Sequence, residues 1–144
     1  MTDPDTPAPI PLHRQVRAML VVFGGGLVGT ALRYAAEQLD PATAGHWPWA
    51  TFVVNLVGAT ILGSLVGWLT VSGPDTGVRQ RIRLLVGVGF CGSLTTYSAF
   101  ALESDRLLAG ADRVVGIAYV ATTVIAGIVC AAIGFIASRS VMTR

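Results

Sequence analysis

The chain has 144 residues, 53% of them hydrophobic and 12% charged, with a mean hydropathy of +0.66. That balance excludes an ordinary soluble domain and makes a lipid bilayer the expected solvent. All ten basic residues are arginine and the net charge is +2, with no long basic run of the kind that binds nucleic acid. Cys91 and Cys130 lie in hydrophobic segments without a CxxC pair, so both read as packing residues.

Residues 1–13 hold Pro4, Pro7, Pro9 and Pro11 and two aspartates. This composition cannot bury enough apolar surface to order itself and predicts a disordered leader ahead of one membrane domain, 14–144. A bilayer core of about 30 Å needs roughly 20 apolar residues in helix. The positions of the charges cut the chain into four such spans, about 18–39, 49–71, 84–108 and 114–137. The fold class is therefore all-α, with four transmembrane helices.

Span 1 carries Arg33 and Glu37 near its far end, and His46-Trp47-Pro48-Trp49 before span 2 fits an interfacial aromatic belt. Small residues recur four apart: Gly25 with Gly29, Ala59 with Gly63 and Gly67, and Cys130 with Gly134. Such spacing lets helices approach closely. Four spans place the N-terminal segment, the 72–83 loop and the C-terminus on one side, with Arg14, Arg17, Arg79, Arg81, Arg83, Arg139 and Arg144. Arg106 and Arg113, joined by Arg33 if it reaches the interface, lie opposite. The bias puts both termini in the cytoplasm.

Span 3 concentrates the chemistry. It runs Gly87-Val-Gly-Phe-Cys-Gly92-Ser-Leu-Thr-Thr-Tyr97-Ser-Ala-Phe-Ala-Leu-Glu103, with glycines in its first half and hydroxyls in its middle. Glycine ends helices by adopting the left-handed conformation, and Ser or Thr restarts them by accepting from free N–H groups. The pattern predicts a stop and a restart at mid-membrane, between Gly92 and Thr96. Irregular backbone at that depth must be buried in protein or line a polar cavity. One half-helix then offers carbonyls to a small cation, and the other offers N–H groups and hydroxyls of Thr95, Thr96 and Ser98 to an anion. The bland reading has these hydroxyls bonding back within an unbroken helix.

Tyr97 and Phe100 share a face of the second half-helix, where ring edges of positive quadrupole could stabilise a partly dehydrated anion. Asn55 is the one amide in span 2, and pathway lining and helix-to-helix glue are equally open for it. Tyr119 and Thr123, four apart in span 4, could line a polar track. Gly87 to Gly92 also fits GxGxxG, but without a preceding strand that match is accidental.

With these residues in view the chain resembles the Fluc (CrcB) family of fluoride channels, from span 1 onward. The resemblance rests on Gly25 to Arg33, on Asn55-Leu-Val-Gly58 to Gly63, and above all on Gly89 to Phe100 with Glu103. It implies passive, selective fluoride export across the plasma membrane by an antiparallel dimer, and a structural sodium ion held by the backbone carbonyls of Gly92 and Thr95. It also implies a fluoride pathway through Asn55, Tyr97, Ser98, Phe100, Tyr119 and Thr123, with Arg33 near its vestibule. Tyr97 stands where the family has a phenylalanine, and Gly127 stands where its polar track has a hydroxyl. The arginine bias conflicts with one sequence inserting both ways, so the partner is either a second copy or an oppositely oriented paralogue.

The alternative is a small dimeric multidrug-type transporter. Proton-coupled cation export needs a carboxylate deep in the membrane, whereas Glu37 and Glu103 lie towards span ends. No nucleophile–base pair or metal-ligand spacing suggests an enzyme.

Overall fold

The computed structural model describes residues 15–41, 43, 45–110 and 113–142. The expected leader, Arg14 and Arg144 lie outside them. The chain folds as α1 (Val16–Leu39), α2 (Trp49–Val71), α3 (Val78–Ile82), a π-helical segment (Arg83–Cys91), α4 (Gly92–Leu94), α5 (Tyr97–Ala109) and α6 (Arg113–Met142). Four stretches are long and apolar enough to cross a membrane: α1, α2, the run Val78–Ala109 and α6.

Spans 1 and 2 coincide closely with expectation, but the third helical run begins at Val78, six residues before Leu84. The reason is local. Gly77 takes φ 59° and turns the chain into the helix, and Arg83 closes back on Asp75 through Nε to Oδ2 at 2.6 Å. Arg79 and Arg81 of that first turn therefore sit on a helix ahead of the apolar run. At the other end α6 has 30 residues. At 1.5 Å per residue this is about 45 Å, longer than the hydrocarbon core, so α6 tilts or projects beyond it.

Two glycine seams hold the bundle together. A Cβ on Gly63 or Gly67 would overlap the backbone of Ala131 or Phe135, and one on Gly134 would overlap the Thr60 carbonyl, so α2 and α6 meet backbone to backbone. Gly25 and Gly29 of α1 press in the same way on the carbonyls of Leu85 and Phe90, and Gly89 presses on that of Val22. Close approach of this kind replaces the hydrophobic drive that lipid cannot supply. The buried apolar core is correspondingly small (Val54, Leu65, Leu84, Cys91, Leu94, Leu107, Tyr119), while Phe23, Leu32, Ile125 and Ile128 point outward.

Candidate pathway at the helix break

The third span is broken, as its glycines and hydroxyls predict, but not by the means expected. Gly92 is right-handed at φ −63° and ψ −24°, and the positive-φ glycines among the described residues are Gly45, Gly73 and Gly77. The interruption instead comes from two extended residues, Thr95 (φ −77°, ψ 149°) and Thr96 (φ −141°, ψ 115°). Thr95 ends the first half, its N–H and its hydroxyl both donating to the Cys91 carbonyl. Thr96 begins the second half as its N-cap, its Oγ1 accepting from the Ala99 N–H at 3.2 Å. The back-bonding reading thus applies to Thr95 and the capping reading to Thr96. Gly87 to Gly92 lies in helix throughout, which disposes of the dinucleotide match.

Asn55 fixes the break from α2. The Thr96 N–H donates to Asn55 Oδ1 at 2.8 Å, and Asn55 Nδ2 donates to the Thr96 carbonyl at 3.3 Å. The amide thereby reads the exposed peptide group as another backbone strand would. In an unbroken helix the N–H groups of Thr96 and Ala99 would bond the carbonyls of Gly92 and Thr95, four residues earlier. Here those donors are spent on Asn55 Oδ1 and Thr96 Oγ1. Gly58 completes the joint: a Cβ there would overlap the Thr95 methyl group, so α2 can lie against the break only at glycine.

Two hollows meet at this joint. A groove of about 510 Å³ is lined by Asn55, Phe100, Thr123 and Gly127 among others, and a second of about 560 Å³ is lined by Thr30, Arg33, Ser93 and Ser98, with Gly92, Thr95, Thr96 and Tyr97 on both. Tyr97 stands between them, 82% exposed, its ring centroid 6.1 Å from that of Phe100. In the second hollow Arg33 Nε is buried without a hydrogen-bond partner, and on the groove Thr123 Oγ1 is likewise unpartnered. Ser98 Oγ lies 3.2 Å from Thr96 Oγ1, within hydrogen-bond distance. A Cβ on Gly127 would meet open space.

Tyr119 is placed differently from the other sequence-selected residues. It is 0% exposed and stands outside the groove lining, packed against Phe100 at 5.5 Å and edge-on to Trp47 at 5.3 Å. Its hydroxyl donates to Glu103 Oε2 at 2.8 Å, and Thr51 Oγ1 donates to Glu103 Oε1 at 2.7 Å. Trp47, expected as an interfacial anchor, also packs its ring on Tyr119. Neither Thr51 nor the Glu103 pairing is legible in the sequence, because residues 51, 103 and 119 belong to three separate helices. Among the described residues no cluster of His, Cys, Asp and Glu is arranged to bind a metal.

Comparison with known proteins matches this architecture to one family. The family described as CrcB-like protein, Camphor Resistance (CrcB) matches residues 20–135. Among curated relatives, Fluoride-specific ion channel FluC 1 of Cutibacterium acnes is 41% identical over 92% of this chain and 93% of its own length. FluC 2 of Leifsonia xyli is 43% identical over 81% of this chain and 80% of its own. FluC of Novosphingobium aromaticivorans is 39% identical over 84% of this chain and 94% of its own. The matched segment runs from within the first span to within the fourth and contains both glycine seams and the break, and the chain belongs to the CrcB-like family.

Proposed function

We propose that this chain is a fluoride channel that lets fluoride leave the cytoplasm passively across the plasma membrane. The observation that carries the reading is the third span, broken at Thr95-Thr96 with a groove against it whose lining pairs apolar and aromatic surface with Asn55, Thr96 and Thr123. Lipid cannot satisfy such a break, so a polar occupant or a partner must face it. Relatives of near-equal length named as fluoride-specific channels identify that occupant as fluoride. A multidrug-type transporter is disfavoured because Glu103, held by Thr51 and Tyr119, lies about two turns beyond the break rather than at it.

Fluoride gives up water for hydroxyl and N–H donors and for aromatic edges, none of which traps it as a fixed positive charge would. Phe100, Thr123, Asn55 and Ser98 supply that lining, and Arg33 draws the anion towards the second hollow. Tyr97 adds a hydroxyl between the two hollows. Tyr119 continues the row one turn beyond Thr123. A structural sodium ion fits the break, because the carbonyls of Gly92 and Thr95 are those whose helical donors have been redirected. Such an ion, held by those carbonyls, would supply fixed positive charge at the break.

The open groove and the exposed Tyr97 call for a second subunit lying antiparallel across the break. The described arginines divide unevenly, with Arg17, Arg79, Arg81, Arg83 and Arg139 at one end and Arg33, Arg106 and Arg113 towards the other. That asymmetry favours one orientation. The partner in this reading is an oppositely oriented paralogue, with a second copy as the other possibility. The deciding experiment is fluoride efflux from proteoliposomes, read with a fluoride-selective electrode, for this chain alone and with a paralogue. Efflux with neither would overturn the channel reading, and efflux from the chain alone would overturn the paralogue.

A further inference from the structure

Trp47 carries a polar atom that packing alone does not explain. Its indole Nε1 is shut off from solvent and meets no acceptor among the described residues. An indole N–H is a donor only, and a buried donor without an acceptor is costly, so the site asks for an acceptor from outside the chain. The ring is also held in place. It stands nearly perpendicular to Tyr119, with centroids 5.3 Å apart at 88°, and to Phe52, at 5.6 Å and 79°. Pro48 follows it, is buried, and restricts the Trp47 backbone to extended conformations. The Trp49 N–H then donates to the Trp47 carbonyl at 3.0 Å, closing a tight turn. The donor is therefore positioned before any ion arrives.

Trp47 also stands near the end of a continuous row of rings. Tyr97 lies 6.1 Å from Phe100, Phe100 5.5 Å from Tyr119, Tyr119 5.3 Å from Trp47, and Trp47 5.8 Å from Trp49, all between centroids. Trp49 is 56% exposed, so the row runs from the break to the surface of the bundle. Hydroxyl donors beside it give out sooner: Thr123 is unpartnered, but the Tyr119 hydroxyl is committed to Glu103. Beyond Tyr119 the next donor without an acceptor is the Trp47 N–H. Resting on the channel reading, we propose that Trp47 binds fluoride, its indole N–H receiving the ion from Phe100 and the Tyr119 ring edge on the way to the surface. A neutral N–H gives a compact anion one short, charge-assisted hydrogen bond. It brings no fixed positive charge, so the ion is held and still released to water at the end of the row.

The test compares wild type with Trp47→Phe in whichever assembly supports wild-type efflux, using Trp49→Phe and Trp68→Phe as controls. Phenylalanine keeps a ring against Tyr119 and Phe52 and deletes the N–H. The half-saturating fluoride concentration for efflux should rise about tenfold, close to the factor carried by one charge-assisted hydrogen bond. Tryptophan emission, titrated with fluoride against chloride at constant ionic strength, should change in wild type and in both controls and stay flat in Trp47→Phe. An unchanged half-saturating concentration in Trp47→Phe assigns the residue to packing and overturns the proposal, whatever the maximal rate. An emission change that survives in Trp47→Phe, or that wild type lacks, overturns it as well. If Trp47→Phe does not fold, β-(3-benzothienyl)alanine at position 47, with sulfur in place of the N–H, decides on the same criteria. Wild type that passes no fluoride refutes the channel reading instead, so the two failures are distinct.

Discussion

Replacing Asn55 with leucine tests how the break is held. The two side chains are close in volume, so the substitution removes hydrogen bonding with little change in packing. It deletes the acceptor for the Thr96 N–H at 2.8 Å and the donor to the Thr96 carbonyl at 3.3 Å. A buried polar group left unsatisfied costs about 1–3 kcal/mol. The N–H is the heavier loss because it makes the shorter bond, while the carbonyl contact is longer and weaker. The sum is about 3 kcal/mol, which for a chain of this size corresponds to a melting midpoint lowered by roughly 10 °C. Thermal unfolding in detergent, followed by circular dichroism, reads the shift. A midpoint equal to that of wild type would refute the claim that Asn55 braces the break, and would return this residue to a role in the pathway alone. Loss of efflux with full stability would lead to the same conclusion.

Tyr97→Phe removes the hydroxyl from the wall between the two hollows and should keep fluoride selectivity while changing the efflux rate; indistinguishable rates would leave that hydroxyl without a role. Gly63→Leu drives a side chain into the Ala131 backbone and should cost more than the about 1–3 kcal/mol of ordinary overpacking, seen as loss of folded protein on size-exclusion chromatography. Thr96→Val, which removes the cap on Ala99, should lower the unfolding midpoint by the equivalent of about 1 kcal/mol. Exchange of sodium for N-methylglucamine should reduce efflux if an ion sits at the Gly92 and Thr95 carbonyls, and unchanged efflux would argue against it.

The sequence determined what composition and periodicity carry. Four apolar stretches separated by charges define four spans, because the bilayer sets a minimum helix length and admits no open sheet edge. Gly25 with Gly29 and Gly63 with Gly67 announced the seams, since in lipid only small residues let backbones touch. The crowding of glycines and hydroxyls between Gly87 and Ser98 announced a break. Its mechanism was not legible, because a glycine that ends a helix and one that admits a neighbour look alike in one dimension. Gly92 proved right-handed, and the turn away from helix fell to Thr95 and Thr96.

Tertiary structure decided which polar groups meet. Asn55 read as glue or as pathway until both of its amide atoms were found on the Thr96 backbone, from a helix 41 residues distant. Thr51 gave no signal, and Tyr119 appeared only as part of a track. Their convergence on Glu103 depends on how α2, α5 and α6 cross. Helical spacing fixes the face a side chain shares along its own helix, whereas the partner across the bundle is set by packing angles that backbone contacts at the glycine seams establish.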